Sequence, residues 1–550
     1  MHERPWLNKY DPDVPHEFAI PDVALPFFLR QSAYHFPERS AIIFKDLTIP
    51  YKDLEWAVDR LAMALHCNGL EKGEPVALAL PNIPQFVIAF YAVLKAGGIV
   101  SAMNPYSKQH EMIAQVNQVG EYWLIGEFES YGMLKTVRAA TNLKHIVVTR
   151  FEDVVRLSKS DGEKEAITIQ LQDGDYYLTE LLDQPWDELL PGISAETPAI
   201  YQFSGGTTGT PKAAIGLHGN LVANTLQFRS WLSGMHEGQE VVCAAIPLFH
   251  VYGMVIAMSL GIALGATLVL IQNGRDTQEI LASIQKHKAT LFPGVPNMYQ
   301  AINQHPDVQT GLYDLHSIKA CISGSAPLPL QVKEQFEKFT GGKLLEGYGL
   351  SEAPTATHCN PMYGENRSGS IGLPLPGVDC RIVDLEKGNE DVRPGEAGEL
   401  IIHGAQVMHS YLNNPVETAQ TIRDGWLYTG DIARMDEEGY FYLIDRKKDL
   451  IKVNGLQVWP REIEEVLLTH PAVKECAAAG IPDPGSGEAV KAWVVVHPGQ
   501  LTTPEVLTVW CKAYLSHYKI PREICLVDQL PRSAVGKILR RELLRTNGQI

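Results

Sequence analysis

The chain has 550 residues, 45% hydrophobic and 20% charged, which excludes a disordered polymer and leads us to expect two or more packed domains. Sixty-four acidic against 47 basic side chains leave a formal charge of −17, which argues against broad nucleic-acid binding while leaving room for a local basic patch that holds phosphate. The eight cysteines are scattered, with no C-x-x-C pair and no histidines at zinc-ligand spacing, as expected in a reducing compartment without a structural metal.

The opening MHERPWLNKYDPDVPHEF lacks the apolar run of a secretory signal, so a cytoplasmic location is expected. Up to about residue 350, strand-like runs alternate with helical patterns: PVALAL (75–80), PQFVIAFYAVLKAG (84–97), IVSAMN (99–104), HIVVT (145–149), TLFPGV (290–295) and NMYQAINQ (297–304). Such alternation implies parallel sheets flanked by helices. The stretch Val241–Gln272 carries no Asp, Glu, Lys or Arg and is long enough to cross a bilayer. Its Pro247, His250 and three glycines favour division into a strand (241–246), a loop (247–253), a buried helix (254–265) and a second strand (266–271).

From about Gly372 the chain turns to short strands punctuated by Gly, Pro and Asp (379–384, 398–404, 439–445), the pattern of a small antiparallel barrel or sheet. Beyond the charged run Asp445 to Asp449 it becomes mixed again: helices at 460–470 and 503–518, strands at 475–482 and 490–497, and a basic tail at 540–545. Two domains are expected, 1–445 and 446–550.

The loop from Ser204 to Lys212, SGGTTGTPK, concentrates three glycines, four hydroxyl side chains and a lysine behind an apolar run. Glycines let backbone N–H groups approach an anion, hydroxyls donate further hydrogen bonds and the lysine adds charge, so the loop suits a polyphosphate. It is not a Walker A loop, because Pro211 precedes the lysine and no Gly-Lys-Ser/Thr follows. Alone it would read more readily as a flexible polar connector than as a phosphate site. Four companions follow in order: Tyr348-Gly349-Leu350-Ser351-Glu352, Tyr428-Thr429-Gly430-Asp431, Asp445 to Lys452 (DRKKDLIK), and Pro531 to Lys537 (PRSAVGK).

With these motifs the chain resembles the adenylate-forming superfamily of acyl-CoA ligases, luciferases and peptide-synthetase adenylation domains over nearly its whole length. The combination GGTTG, PLFHVYG, FPGVPNMY and SGSAPLP is most similar to the bacterial long-chain fatty acid:CoA ligases. The resemblance implies an α/β fold: a large N-terminal domain of two doubly wound sheets plus a small β-barrel, and a mobile α+β C-terminal domain. It implies an AMP-forming carboxylic acid:CoA ligase that uses ATP, Mg2+ and CoA.

Carried onto this sequence, the resemblance makes Ser204, Gly205, Gly206, Thr207, Thr208, Gly209 and Lys212 the phosphate loop. Gly324, Ser325, Ala326, Glu346, Gly347, Tyr348, Gly349, Ser351, Asp431, Arg446 and Lys537 complete the nucleotide site. Tyr348 would stack on adenine, Ser351 would meet the α-phosphate and Asp431 would accept from the ribose hydroxyls. Glu352, with Thr207, would hold magnesium; Lys537, Glu352 and Thr207 would be catalytic. Lys448 would be the hinge, and Lys452, Asn454 and Gly455 would admit CoA. His250, Val251, Tyr252, Gly253, Gly324 and Gly349 would line the acyl pocket, although a lone histidine such as His250 also reads as a core residue and Lys537 as a surface lysine.

Four positions depart from the family pattern. Gly205 stands where many relatives have serine, as in the fatty-acid branch; Ala213 and Gly219 stand where glycine and arginine are usual; Ser351 replaces threonine and keeps its hydroxyl. The segments expected to enclose the acid, 250–253, 294–299, 323–326 and 347–357, contain no Lys, Arg, Asp or Glu apart from Glu352, which favours a hydrophobic acid over an amino acid. Medium-chain and aryl acids, and a carrier protein as acceptor, remain alternatives. The partners expected are a fatty acid, ATP and CoA, not nucleic acid, in a monomer or homodimer; peripheral contact with a membrane is left open.

Overall fold

The computed structural model describes residues 4–150, 153, 170–184, 188–204, 212–533 and 537–545. The chain resolves into two compact units: Trp6–Asp379 with His403–Gly425, and Cys380–Ile402 with Trp426–Ile550 and Met1–Pro5.

The larger unit holds two sheets. In the first, the strand order is Ser410–Tyr411, Lys212–Leu217, Pro198–Ser204, Ile99–Ala102, Pro75–Ala79, Trp123–Glu127, His145–Thr149 and Tyr176–Tyr177. Pairing is parallel from Pro198–Ser204 to the last of these, and antiparallel at the Lys212–Leu217 end. The expected alternation is present, with strand Pro75–Ala79, helix Pro84–Lys95 and strand Ile99–Ala102 in succession. Helix Pro84–Lys95 is buried at every position from Pro84 to Leu94, and the strand after it is buried throughout, as a parallel sheet covered on both faces requires.

In the second sheet, Leu47–Pro50, Ser40–Phe44, Thr267–Leu270 and Val241–Ala244 lie side by side. Single bridges from Val242 to Leu291 and from Leu291 to Ala320 link them to Ala320–Ser323, Lys343–Leu350, Ala353–Cys359 and Leu373–Pro374. The run TLFPGV thus contributes bridges at Leu291 and Gly294, not the full strand its apolar character suggests. The charge-free stretch Val241–Gln272 divides as expected into strand, loop, helix and strand. Its helix, however, opens with a π-helical segment, Gly253–Ser259, where Ser259 Oγ donates to the Met254 carbonyl at 2.9 Å. No helix among the described residues is long and apolar enough to cross a membrane.

Helix His218–Trp231 leaves strand Lys212–Leu217 directly and carries a polar face into the interior. Asn220 donates to the Ala405 carbonyl at 2.7 Å. Asn224 Oδ1 accepts from the Thr355 and Ala356 N–H groups at 2.9 and 3.2 Å, and its Nδ2 donates to the Ala356 carbonyl at 2.7 Å. Gln227 donates to the Pro376 carbonyl and to Gln406 Oε1, and Trp231 Nε1 to the Asn360 carbonyl at 3.0 Å. The spacing of 4, 3 and 4 residues places all four on one helical face.

The smaller unit contains short antiparallel strands, Gly398–His403 paired with Trp426–Met435 and the latter with Phe441–Arg446. A separate sheet follows, ordered Leu456–Val458, Ile451–Val453, Gly487–Val496 and Val473–Asp483, with Glu523–Leu526 parallel to Gly487–Val496. Helices Pro460–Leu468 and Pro504–Tyr514 close its core around Ile463, Leu467, Leu507 and Cys511.

Replacing Asn224 by alanine strands two backbone N–H groups and a carbonyl in the interior. We expect a loss of at least ~2 kcal/mol, read as a lower denaturant midpoint for the larger unit with little change in far-UV circular dichroism.

Candidate active site

Strands Pro198–Ser204 and Lys212–Leu217 are antiparallel neighbours in which Ser204 pairs with Lys212. Gly205, Gly206, Thr207, Thr208 and Gly209 lie outside the described residues. Lys212 is half-buried; its Nζ forms an ion pair with Glu417 and lies 5.5 Å from the centroid of the Tyr411 ring. Glu417 is fixed in the first turn of helix Pro415–Thr421, where its N–H donates to the capping Asn414 side chain at 3.1 Å.

Ser351 and Glu352 form the two-residue turn between strands Lys343–Leu350 and Ala353–Cys359, in which Leu350 faces Ala353. Gly349 is required just before the turn, because a Cβ there would lie 1.7 Å from the Thr355 carbonyl oxygen. Glu352 is held twice. Its carbonyl accepts the Met408 N–H at 2.8 Å, and its Oε1 accepts the Tyr411 hydroxyl at 2.8 Å. Burial, then the Glu352 charge, push the Tyr411 phenol far above its usual range, so it remains a protonated donor. Tyr348 is largely buried and meets the His358 ring edge-on, with centroids 5.8 Å apart. Burial lowers His358 to about 3 and keeps it neutral.

Among the acyl-pocket candidates, Tyr252 donates to the Ile322 carbonyl at 2.6 Å and to that of Gly294 at 3.1 Å. Tyr299 also donates to the Ile322 carbonyl, at 2.7 Å. Both hydroxyls are spent on backbone, which ties the segments around Gly294 and Gly324 together. Gly324 meets the Tyr252 ring, where an added Cβ would stand 3.4 Å from it. Ser325 is exposed with φ +69°, an uncommon conformation for a residue with a side chain and one that recurs at ligand sites. His250 is partly buried, and its Nδ1 accepts the Tyr252 N–H at 3.2 Å, which puts the ring proton on Nε2.

The smaller unit carries a second cluster. Asp431 and Arg446 face each other across paired strands and are joined by a 3.0 Å ion pair, Nε to Oδ1. Asp431 is buried, and Arg446 about one-third exposed. Lys447 pairs with Glu399 at 2.7 Å, and Glu399 also accepts the Gly430 N–H. Lys537 joins the Asp431 and Arg446 cluster electrostatically. The residue as a whole is exposed, yet burial around its ammonium, then the Arg446 charge, lower it to about 8 against the pull of Asp431 and Asp449. Lys448 is lowered to about 8 by burial and then Arg446.

The segment behind Lys537 is anchored by a residue that reads from sequence as part of a basic tail. Arg540, on helix Arg540–Arg545, bonds Glu464 through Nη2 at 2.8 and 2.9 Å and Asp449 through Nη1 at 3.3 Å. Asn454 and Gly455, with φ +53° and +79°, make the two-residue turn joining Ile451–Val453 to Leu456–Val458, the positive-φ pair that a tight hairpin demands. Lys452 lies on the first of these strands. Among the described residues, the structure groups Lys212 with Glu417 and Tyr411, Glu352 with Tyr411, and Asp431 with Arg446 and Lys537, and it adds Tyr411, Glu417 and Arg540 to the residues read from sequence.

The groups present fit magnesium. Among the described residues no set of three His, Cys, Asp or Glu side chains could cage a metal. A single carboxylate at a turn tip, held by the Tyr411 hydroxyl through one oxygen, would suit a hard cation that keeps waters and takes its further oxygens from a ligand.

Residues 29–412 match the family described as AMP-binding enzyme, and residues 462–537 match the AMP-binding enzyme C-terminal domain. The chain belongs to the AMP-binding enzyme family, so the adenylate-forming resemblance read from five motifs is borne out. It is 42% identical over 551 residues to the long-chain-fatty-acid–CoA ligase of Bacillus subtilis (strain 168), covering 98% of each chain. It is 36% identical to the protein of the same name from Salmonella typhimurium, covering 98% of this chain and 97% of the other. Among solved structures, ATP-bound MatB from Rhodopseudomonas palustris matches with a TM-score of 0.83 at 26% identity, covering 96% of this chain and 99% of that one. The anthranilate CoA ligase AuaEII in complex with anthranoyl-AMP matches at 0.81 and 26%, covering 98% of both.

Competitive acylation of lysines across a pH series should place Lys537 and Lys448 at half-reaction near pH 8, against about 10.4 for an ordinary surface lysine. Arg446→Met removes a neighbouring cation and should move both upward.

Proposed function

We propose that this protein is an ATP-dependent long-chain fatty acid:CoA ligase, which converts fatty acid and ATP to an acyl-adenylate and pyrophosphate, then transfers the acyl group to CoA with release of AMP. The observation that carries this reading is the 42% identity to a long-chain-fatty-acid–CoA ligase across 98% of both chains, which takes in every motif described above.

The chemistry explains the residues. A carboxylate resists attack by a thiol because its carbonyl is resonance-stabilised and would have to expel oxide; transfer of AMP to it supplies a leaving group. In that first step a carboxylate approaches the α-phosphorus of ATP, and the two anions repel. Lys537 is the cation proposed to lie between them, and Lys212 with the hydroxyls and N–H groups of the 204–212 loop would hold the β- and γ-phosphates. Tyr348 would pack on adenine, Ser351 would donate to the α-phosphate, and Asp431 would accept from the ribose with Arg446 at its side. Magnesium on Glu352 and Thr207 would neutralise phosphate charge. The thiol is CoA's own, so no protein nucleophile is needed.

In the second step Lys537 has to leave so that the thiol can reach the adenylate carbonyl. We read 446–550 as the domain that turns, with Lys448 as hinge, and the Lys452, Asn454, Gly455 hairpin as the part that then receives pantetheine.

A hydrophobic acid is favoured by the pocket segments. The Tyr252 and Tyr299 hydroxyls donate to backbone carbonyls, so these two residues offer an acid no hydroxyl that is not already engaged. A second reading, an aryl acid, is favoured by 30% identity to the 4-coumarate–CoA ligase 2 of Nicotiana tabacum, over 96% of this chain and 97% of that one. Acid-dependent AMP release, measured with CoA present and absent, separates the two. Palmitate should be the better substrate, and faster turnover of octanoate, benzoate or 4-coumarate would overturn the long-chain assignment.

Lys537→Ala should lose on the order of 10²–10³ in adenylate formation, measured by exchange of labelled pyrophosphate into ATP. Thioester formation from supplied palmitoyl-adenylate should be spared. Because Lys537 is a cation below about pH 8 and neutral above it, kcat/KM for adenylation should fall as pH rises through that value. In Lys537→Arg this alkaline limb should move beyond pH 10.

A further inference from the structure

We propose that Tyr411 is a positioning residue for the metal carboxylate: its hydroxyl holds Glu352 in the orientation that receives the cation, and its ring keeps that carboxylate apart from the lysine of the phosphate loop. This rests on the reading of Glu352 as the magnesium carboxylate.

Glu352 stands at the tip of a two-residue turn, where a free side chain would sample several rotamers and surrender that freedom on binding a metal. Tyr411 removes much of this cost in advance. Its hydroxyl donates to Oε1 at 2.8 Å, and no other described group occupies Oε2. A tyrosine has two side-chain torsions, and here the ring is packed among Ala214, Met408 and Ile422. The backbone of the same segment is fixed as well: Tyr411 faces Ala214 across paired strands, and its N–H donates to Thr418 Oγ1 at 2.9 Å. Met408, three residues earlier, donates to the Glu352 carbonyl at 2.8 Å. One short segment thus grips Glu352 by both main chain and carboxylate.

The ring has a second consequence. Lys212 lies 5.5 Å from its centroid and pairs with Glu417, not with Glu352. A flexible lysine beside a flexible carboxylate would tend to form an ion pair, and a cation would then compete with Lys212 for Glu352. With the aromatic ring engaging both, Glu417 takes the lysine and Glu352 stays available for the metal. Neither Tyr411 nor Glu417 belongs to the motifs by which the nucleotide site is read.

Tyr411→Phe keeps the ring and removes the donor. In the full-length protein the free Mg2+ giving half-maximal pyrophosphate exchange should rise about tenfold, the scale of one lost hydrogen bond to a charged group. The palmitate KM should be unchanged. As a readout independent of turnover, calorimetric titration with a non-hydrolysable ATP analogue should show metal-free affinity as in the wild type and a smaller gain on adding Mg2+. Glu352→Gln serves as the reference. If it raises the Mg2+ requirement while Tyr411→Phe does not, the positioning role is overturned and the Glu352 reading stands. If Glu352→Gln leaves the requirement unchanged, the Glu352 reading itself fails and the inference falls with it. An equal loss of metal-free and metal-dependent affinity in Tyr411→Phe would make the residue merely structural and also overturn the proposal.

Discussion

The buried polar face of helix His218–Trp231 is the constraint on which the larger unit's site depends. The helix is continuous with strand Lys212–Leu217, so its side chains carry the position of that strand into the interior. Asn224 transmits it to Thr355 and Ala356, just beyond the Ser351-Glu352 turn; Asn220 and Gln227 transmit it to residues 405 and 406, just before the segment that grips Glu352. Three stretches far apart in sequence are thereby set by hydrogen bonds whose loss would leave buried groups unpaired. Directional bonds fix register in a way that apolar packing alone would not.

The charges follow a common plan. The chain is acidic, yet the proposed substrates, ATP, CoA and a carboxylate, are anions. Each basic residue of the candidate site that the structure describes in an ion pair is matched to a carboxylate: Lys212 to Glu417, Arg446 to Asp431, Lys447 to Glu399, Arg540 to Glu464 and Asp449. Such pairing keeps cations from collapsing onto the wrong acid and holds them where an anionic ligand can join or replace the partner. Lys448 and Lys537 differ, since the largest influence on each after burial is another cation, Arg446, and both ammonium groups are lowered to about 8. A site that attracts anions strongly would also hold products; cations already part-satisfied moderate that grip.

Much of the fold was legible because it rests on local pattern. Apolar β-branched runs became the strands at 75–79, 99–102 and 145–149, and the charge-free stretch at 241–272 divided where its proline, histidine and glycines suggested. The motif residues were legible by resemblance, although Asp431 and Arg446 were named without the strand pairing that makes them neighbours. What escaped notice depends on distance along the chain. Tyr411 meets Glu352 from 59 residues away and Glu417 meets Lys212 from 205 away, and neither has a local signature. Asn224 escaped because periodicity methods look for an apolar face, and here the face turned inward is an amide ladder. Arg540 looked like a solvated tail because its acids, Glu464 and Asp449, lie 76 and 91 residues earlier.

The division of labour between the two units follows from the proposed chemistry. The groups proposed to bind phosphate and metal, Lys212, Ser351 and Glu352, occupy a strand end and a hairpin turn in the larger unit, where Glu417 holds Lys212 and the Met408 N–H and Tyr411 hydroxyl hold Glu352. Such groups serve both half-reactions best when they do not move. Lys537 is different in kind, since in the proposed mechanism it would assist adenylation and obstruct thiol attack. It is carried near the chain's end, on a segment held by Ser533 and by the Arg540 anchor within the smaller unit. The Arg540 bonds to Glu464 and Asp449 tie the segment behind Lys537 to its own unit. A catalytic cation that must be present in one step and absent in the next is best mounted in this way, because the whole unit can withdraw it without breaking a bond of its own.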